Sequence, residues 1–284
     1  MGFEIVASHV TSFKNNIIDI GSAVINRSTL LSSVYGDCWR YWLELTDRNV
    51  ITRVGDTTAR FDVSTRSEYC RAKQLGGEET ILTALLSELN GDEVVWDVGA
   101  CVGTYTCFIA NVLCTGSVVG FEPNPRNRTR LKQNLQHTGT DHWDVSPVAL
   151  FNSEGRVHLV SEFLEVGSGH HYLIDDQPML DISDDKKTVV DTKRGDELVA
   201  DGYPAPDIIK IDVQGAELQV LQGLRRLLPR VEMIFLEIHT QKCQRYGSYA
   251  EEIERFLSET GYDLTHLDNQ TRRRSGVYFI KATR

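Results

Sequence analysis

Two acids and two glycines between residues 94 and 122 have the types and spacing of a nucleotide-binding unit. An apolar run ends in Asp97 and Gly99, a short turn leads to Gly103, and a second apolar run ends in Glu122. Helical spacing after Gly103 makes the segment a predicted strand, glycine turn, helix and strand. Such units bind ligands at the carboxyl ends of their strands, where an acid about twenty residues past the turn can take both ribose hydroxyls. The glycines let the backbone turn sharply and approach a ligand closely.

The first position of the turn indicates which nucleotide is bound. A dinucleotide-binding turn reads G-x-G-x-x-G, whereas this chain has D-x-G-x-x-x-G beginning at Asp97. A carboxylate there repels a pyrophosphate and suits a ligand with a cationic end. S-adenosylmethionine carries an ammonium and a sulfonium, so the turn predicts S-adenosylmethionine as the cofactor and not NAD.

A second group of polar residues follows two later apolar runs. Lys210 and Asp212 share one face of the first run, and Glu237 and His239 share one face of the second. Asp212 is predicted to lie at the acceptor site or to bind a metal; the alternative is a structural ion pair with Lys210. If the two strand ends meet, Asp212, Glu237 and His239 form either a base with an orienting acid or ligands for a divalent cation.

Further candidates lie in a loop and at a helix start. His170 and His171 follow a Gly-Ser-Gly sequence and are rival candidates for the base. Glu217 begins a predicted helix, and a carboxylate at a helix N-terminus interacts favourably with the helix dipole. The turn after Asp212 is not the N/D-P-P-Y/F turn of many amino-methylating enzymes, which favours oxygen as the methyl acceptor. Oxygen methylation is an in-line displacement that aligns the acceptor and removes its proton.

The remaining elements alternate in a way that predicts an α/β sheet. Residues 1–48 have mixed helical patterning, residues 49–63 read as a hairpin around a Gly-Asp turn, and residues 64–76 read as a loop. A helix over residues 78–89 leads into the Asp97 strand, and residues 175–187 read as a polar surface loop. The further predicted strands are 143–149, 156–160, 171–174, 207–212, 231–237, 262–267 and 276–281, and the further helices are 126–136, 216–228 and 249–260.

The amino-acid composition and net charge of the chain argue against several classes of function. The 284 residues are 41% hydrophobic and 25% charged, which is ordinary for a globular chain with one full core. The formal net charge of -10 argues against a nucleic-acid partner, which needs clustered Lys and Arg. The six cysteines form no C-x-x-C pair and are read as reduced thiols in a reducing compartment. No run is long and apolar enough for a membrane span, and no signal peptide is evident, so a cytoplasmic location is expected.

Four stretches together resemble the FkbM-type family of S-adenosylmethionine-dependent methyltransferases. They are V-W-D-V-G-A with G-T-Y-T, F-E-P-N, I-K-I-D-V-Q-G-A-E and L-E-I-H, at residues 95–106, 121–124, 209–217 and 236–239. The likeness covers roughly residues 78–284, and its third stretch is the most specific. There this chain has Gln214 where the family typically has Glu.

The resemblance implies an α/β fold with a seven-stranded, doubly wound, Rossmann-like class I methyltransferase sheet whose last strand is inserted antiparallel. Residues 77–284 then form the methyltransferase domain, and residues 1–76 a helical and hairpin extension that caps the acceptor side or makes a homodimer contact. The implied cofactor contacts are Asp97, Gly99, Ala100, Gly103, Tyr105, Thr106, Glu122 and Asn124.

The expected function is O-methylation of a hydroxyl on a sugar or other small natural product, because family members often act on such acceptors. The alternatives are a protein or RNA methyltransferase and a catalytically inactive, methyltransferase-like binding protein. The intact set of Asp97, Gly99, Gly103, Glu122 and Asp212 argues against an inactive site.

Overall fold

The computed structural model describes residue 39 and residues 48–174, 182–267 and 276–284. The helical segment expected over residues 1–48 therefore lies almost wholly outside the described residues. The strands are β1 (Asn49–Val54), β2 (Thr57–Asp62), β3 (Val94–Val98), β4 (Ser117–Phe121), β5 (Trp143–Ser146), β6 (Ala149–Leu150), β7 (Gly155–Ser161), β8 (His171–Ile174), β9 (Lys187–Lys193), β10 (Ile208–Ile211), β11 (Met233–His239), β12 (Asp263–Leu267) and β13 (Val277–Thr283). The α-helices are α1 (Arg66–Gln74), α2 (Glu79–Leu86), α3 (Thr104–Val112), α4 (Pro125–Leu135), α5 (Gly195–Ala200), α6 (Glu217–Gly223) and α7 (Ala250–Glu259).

Seven strands form the central sheet in the order β12-β13-β11-β10-β3-β4-β5. The pairs from β11 through β10, β3 and β4 to β5 are parallel, and β13 runs antiparallel between β11 and β12. This confirms the predicted class I methyltransferase sheet with its antiparallel last strand. The carboxyl ends of β3, β4 and β10 meet at one edge, which is where an α/β sheet holds its ligand.

Side-chain alternation sends successive strand residues into two separate cores, one on each face of the sheet. Val95 and Ile208 point into the core that also contains helices α2, α3 and α4. Their neighbours Trp96 and Ile209 point into the core with α5, α6 and α7. A strand buried on both faces reads as a nearly continuous apolar run, and this explains why β3 and β10 are apolar except for Asp97 and Lys210.

The predicted hairpin forms as β1 and β2, and its apolar face joins the first core through residues such as Phe61. The predicted loop over residues 64–76 is wrong, because residues 66–74 form helix α1. Its start has a capping box: Thr65 Oγ1 accepts from Glu68 N at 3.1 Å, and Glu68 Oε2 accepts from Thr65 N at 3.0 Å. Thr followed three residues later by Glu is a helix-start pattern that is readable from the sequence.

A second, four-stranded sheet in the order β6-β9-β7-β8 lies after β5. Residues 143–149 were predicted as one strand, but β5 ends at Ser146 and β6 begins at Ala149 in the other sheet. Pro147 lies between them and has no N–H for a strand ladder. Strand β9 lies where the sequence indicated a loop up to residue 187 and no strand beyond it. No helix within the described ranges has both the length and the apolar character needed to cross a bilayer.

Candidate active site

The glycine turn after β3 brings two strand tips into close contact. Gly99 and Ala100 donate their N–H groups to the carbonyl of Phe121 at 3.0 and 3.1 Å. Gly99 has φ +87°, and a Cβ placed on it would lie 1.9 Å from the carbonyl oxygen of Asp212. Glycine is therefore required here by the approach of β10, in addition to any approach of a ligand. Gly103 has φ +91° and begins α3.

Glu122, at the tip of β4, connects the glycine turn to the next helix. One carboxylate oxygen accepts from Cys101 N at 2.8 Å and the other accepts from Asn124 N at 2.7 Å. Burial raises the pKa of Glu122 to about 7, against the lowering effect of these two backbone hydrogen bonds. The carboxylate lines a cleft at the sheet edge, where its remaining lone pairs suit ribose hydroxyls.

Asn124 lies next to Glu122 and starts α4. Its Oδ1 accepts from Arg126 N at 2.9 Å, and its Nδ2 donates to Ser161 Oγ at 3.3 Å. The side chain therefore caps the helix. A cofactor contact at Asn124 stays a prediction.

Asp97 forms a buried polar network within the sheet. Thr106 Oγ1 donates to Asp97 Oδ2 at 2.5 Å, and Lys210 Nζ lies 3.3 Å from Asp97 Oδ1. The expected pair between Lys210 and Asp212 is thus replaced by one between Lys210 and Asp97, which face each other in the register of β10 and β3. Burial alone lowers the pKa of Lys210, but Asp97, Asp212, Glu78 and Glu237 together outweigh it and the pKa rises above its usual value. Lys210 Nζ also lies over the aromatic ring of Tyr105, 4.8 Å from the ring centroid.

These contacts give Asp97, Thr106 and Tyr105 structural partners. Asp97 is fully buried, and Tyr105 Oη donates to Glu78 Oε2 at 3.2 Å. Direct cofactor contacts at these three residues, and at Gly103 and Ala100, stay predictions.

A cleft opens at the ligand edge of the sheet, the place where α/β folds hold small molecules. Glu122, Pro123, Gly99 and Asp212 all line this cleft. The other lining side chains come from α1, from the segment after β5, from β7 and β8, and from the turn after β10: Arg71, Val148, Ala149, Leu150, Leu159, His171, Tyr172, Leu173, Val213, Gln214 and Ala216.

Asp212 is the predicted catalytic side chain that reaches this cleft, with 15% of its surface exposed. Burial alone raises its pKa, but Lys210, His239, Arg71 and the Gln214 hydrogen bond together lower it to about 2. Asp212 is therefore ionised throughout the physiological pH range. An ionised carboxylate at this edge can accept a hydrogen bond from a hydroxyl group, and it disfavours a carboxylate oxygen at that same position.

His239 and Glu237 converge with Asp212, as the strand ends predicted. One ligand atom from each of the three lies within 4.8 Å of the other two. His239 Nε2 is 4.0 Å from Asp212 Oδ1 and 3.6 Å from Glu237 Oε1. His239 is itself almost fully buried, so it lies behind the cleft wall that Asp212 and Gln214 form.

Glu217 and Gln214 fix the protonation state of His239. Glu217 Oε1 lies 2.9 Å from His239 Nδ1, and a carboxylate only accepts, so Nδ1 carries the proton. Gln214 Nε2 donates to Asp212 Oδ1 at 2.6 Å and lies 3.1 Å from His239 Nε2. Lys242 Nζ donates to Gln214 Oε1 and thereby orients the amide. The Nε2 atom of the ring faces Gln214 and Asp212.

This geometry explains why an amide suits position 214. The Gln214 Nε2 group donates towards two acceptors, Asp212 and His239, and a carboxylate there would place like charges against Asp212. The backbone of Gln214 has φ +59°, a left-handed conformation that is uncommon for residues other than glycine. Sequence reasoning did not assign roles to Gln214 and Glu217 in positioning His239.

The two loop histidines differ in position. His170 is 53% exposed at its side chain, with Nδ1 4.0 Å from Glu162 Oε2. His171 lines the cleft, with its Nε2 3.1 Å from Asn127 Nδ2. Burial lowers the pKa of His171 to about 4, so its imidazole is neutral. The structure thus brings His171, rather than His170, to the cleft, and a catalytic role for His170 stays a prediction.

The fold, the glycine turn and the acid at the tip of β4 define a class I S-adenosylmethionine-dependent methyltransferase. The family model described as the methyltransferase FkbM domain matches residues 97–264. The chain belongs to the FkbM methyltransferase family, as the resemblance predicted, and it is an enzyme that uses S-adenosylmethionine.

Two curated proteins and one solved structure illustrate the relationship. The hexuronic acid methyltransferase AglP of Haloferax volcanii is 32% identical over 214 residues, covering 74% of this chain and 80% of AglP. The AMB antimetabolite synthetase AmbE of Pseudomonas aeruginosa is 28% identical over 207 residues, covering 61% of this chain and 10% of AmbE. The crystal structure of methyltransferase FkbM from Methylobacillus flagellatus superposes with a TM-score of 0.47 at 18% identity, covering 68% of this chain and 44% of that one.

Replacing Glu122 by Ala should weaken cofactor binding by about 1–3 kcal/mol, the scale for leaving buried hydrogen-bond partners unmatched. The fold should persist because the change lies at a strand tip. Calorimetric titration with S-adenosylhomocysteine measures the effect, and Glu154→Ala on the exposed surface is the control. A dissociation constant equal to that of the control would remove Glu122 from the cofactor site.

The same carboxylate should make cofactor binding depend on pH. Ribose hydroxyls donate to the ionised form, and a pKa of about 7 leaves Glu122 mostly protonated at pH 6. The dissociation constant for S-adenosylhomocysteine should therefore be about tenfold higher at pH 6 than at pH 8. Glu122→Gln, which does not titrate, should bind more weakly at pH 8 and lose this dependence.

Proposed function

We propose that this enzyme transfers the methyl group of S-adenosylmethionine to a hydroxyl oxygen of a sugar acid. The observation that carries the proposal is the ionised Asp212 carboxylate in the cleft, directly beside the Gly99 turn. The relative AglP is by name a hexuronic acid methyltransferase, and this supports a hexuronic acid as the acceptor class.

In the proposed reaction, the acceptor oxygen attacks the methyl carbon while the bond from that carbon to sulfur breaks. The hydroxyl donates a hydrogen bond to Asp212, which aligns the oxygen for in-line displacement. The hydroxyl proton leaves towards the Asp212 edge of the cleft. Asp212 accepts this proton while S-adenosylhomocysteine leaves, and His239 Nε2 lies 4.0 Å behind Asp212 Oδ1 as the alternative base.

A hexuronic acid has both hydroxyl and carboxylate oxygens. Identification of the product therefore distinguishes methylation of a hydroxyl from methylation of the carboxylate. Incubation with labelled cofactor and hexuronic-acid-containing glycans should give a methyl ether, whose label survives mild alkali. A methyl ester releases its label as methanol under the same treatment. Labelled ester, or label on protein or RNA with none on glycan, would contradict the proposal.

A divalent cation held by Asp212, Glu237 and His239 is the alternative role of this cluster. Carboxylate oxygens and an imidazole nitrogen within 4.8 Å of one another suit such an ion. The Gln214 amide, however, lies between Asp212 Oδ1 and His239 Nε2, and an ion there would have to displace it. We therefore propose that hydrogen bonds organise this cluster.

Methyl transfer should accordingly persist when the enzyme is assayed in excess EDTA. The rate with EDTA should lie within about twofold of the rate with added Mg²⁺ or Ca²⁺. Loss of activity that Mg²⁺ or Ca²⁺ restores would assign the cluster to a cation instead.

We also propose a cytoplasmic location and a role for the N-terminal extension. The five cysteines within the described residues are free thiols, which supports a reducing compartment. The extension over residues 1–76 is proposed to cap the acceptor side or to make a homodimer contact. Helix α1 supports the first of these roles, because Arg71 lines the cleft.

A further inference from the structure

Helix α1 places one cation at the wall of the cleft. Its residues Tyr69 and Ala72 are buried in the first core, while Arg71 lines the cleft together with Gly99, Cys101 and Asp212. Arg71 precedes residue 97, where the match to the family model begins. The segment before the matched domain thus contributes a charged group to the site.

The loop over residues 165–169 holds the Arg71 guanidinium in place. Arg71 Nε donates to the carbonyl of Gly167 at 2.6 Å. A Cβ on Gly169 would lie 2.3 Å from Arg71 Nη2, so glycine at this position leaves the space that the guanidinium occupies. Thr65 Oγ1 donates to the carbonyl of Val166 at 2.7 Å and ties the start of α1 to the same loop.

The terminal nitrogens of Arg71 keep donors available for a ligand. A guanidinium has five N–H groups, and across the described ranges the hydrogen bond from Nε to Gly167 is the one that the structure gives to Arg71. Within the same ranges no carboxylate lies within 4.0 Å of its nitrogens. The Cys101 sulfur, then Glu78, Asp212 and Glu237, raise the pKa of Arg71 above its usual value despite burial.

The charge of Arg71 acts on both acids of the cleft, because it lowers the pKa of Glu122 and the pKa of Asp212. Arg71 lines the same cleft as Glu122 and Asp212, and the proposed methyl transfer takes place beside Asp212. Two carboxylates approach this end during the reaction: that of the cofactor's amino-acid group and that of a hexuronic acid acceptor. Asp212 repels either of them, so a cation is needed to hold one there.

We propose that Arg71 is a carboxylate-binding residue of the active site, delivered by α1 and presented as a planar fork. The carboxylate belongs either to the amino-acid end of S-adenosylmethionine or to the acidic sugar. The second source rests on the proposed function, and the first does not.

The test compares Arg71→Gln with Arg66→Gln, the same change at an exposed position of the same helix. Calorimetry measures binding of S-adenosylhomocysteine and of 5′-methylthioadenosine, which lacks the amino-acid group. It also measures binding of glucuronate and glucose to protein saturated with S-adenosylhomocysteine. Arg71→Lys keeps the charge without the fork and should show a smaller effect, and thermal melting checks that each variant is folded.

If Arg71 binds the cofactor carboxylate, Arg71→Gln weakens S-adenosylhomocysteine by tenfold or more and leaves 5′-methylthioadenosine within twofold. If it binds the acceptor carboxylate, S-adenosylhomocysteine is unchanged, glucuronate binding falls by tenfold or more, and glucose binding is unchanged.

Equal weakening of all four probes would show a structural role and overturn the proposal. The proposal would also be overturned if Arg71→Gln leaves S-adenosylhomocysteine binding unchanged and glucuronate binding gives no support. Glucuronate gives no support if the variant binds it as the wild-type enzyme does, or if the wild-type enzyme does not bind it detectably. If the acceptor is not a sugar acid, only the glucuronate measurement is affected. The proposed acceptor and the proposed role of Arg71 can therefore fail separately.

Discussion

Replacing Asp212 by Asn should lower the rate of methyl transfer by about 100-fold, the low end of the range for general acid–base catalysis. Asn keeps the size of the side chain and removes the charge that accepts and orients the acceptor hydroxyl. The predicted ribose contact is at Glu122 and not at Asp212, so the dissociation constant for S-adenosylhomocysteine should stay within a few-fold. The measurement is single-turnover transfer at saturating cofactor, together with calorimetric titration of the same preparation.

Asp191→Asn is a matched control, because it makes the same change on β9 at a side chain that is 68% exposed. The control should keep the full rate. If Asp212→Asn also keeps it, Asp212 serves the local hydrogen bonds to Gln214 and has no part in the reaction.

His239→Ala should lower the rate in the same direction as Asp212→Asn. The wild-type rate at saturating cofactor should fall at acidic pH as the imidazole protonates. Saturation matters because protonation of Glu122 weakens cofactor binding in the same pH range. A rate that does not change between pH 8 and pH 5.5 would exclude His239 as the base.

Replacing Gly99 by Ala should lower the free energy of unfolding by about 3 kcal/mol or more, a large effect for a single substitution. A left-handed backbone costs an L-residue roughly 1–2 kcal/mol, and φ at Gly99 is +87°. The rest comes from the new Cβ, which would lie 1.9 Å from the carbonyl oxygen of Asp212 and must push the tips of β3 and β10 apart. Denaturant unfolding measures the loss.

Gly139→Ala separates the two contributions. Gly139 has φ +71°, and nothing lies within 4 Å of a Cβ placed there. This variant should lose only the backbone term of about 1–2 kcal/mol and should bind S-adenosylhomocysteine normally. Gly99→Ala should also bind the cofactor more weakly, because the displaced carbonyl belongs to the cleft wall. Equal losses of stability in the two variants would contradict the proposed contact.

The hydrogen-bond network around His239 accounts for the departure from the family sequence at position 214. An amide donates towards both Asp212 and His239 while Lys242 binds its oxygen. The extra negative charge of a Glu is thus absent from a cluster that already contains Asp212, Glu237 and Glu217. The hydrogen bond from Gln214 also helps to keep Asp212 ionised.

The sequence by itself determined the class of the protein, because the informative patterns are local. Alternation of polar and apolar residues and the spacing from Asp97 through Gly99 to Glu122 depend on neighbours along one unit of strand, turn, helix and strand. They predicted the α/β sheet and the cofactor, and the family resemblance that rests on the same local motifs implied the antiparallel last strand. The capping box of Thr65 and Glu68 was equally local, and helix α1 was missed only because that pattern was not used.

Tertiary structure alone decided which polar groups meet. Lys210 is two residues from Asp212 but pairs with Asp97, because the register of neighbouring strands sets that contact. Glu217 and His239 lie 22 positions apart and touch only when α6 packs beside β11. The Arg71 side chain is held at the cleft by a hydrogen bond to Gly167, which lies 96 positions further along the chain. Contacts between residues so far apart depend on how the strands and helices pack, and no pattern within one segment specifies that packing.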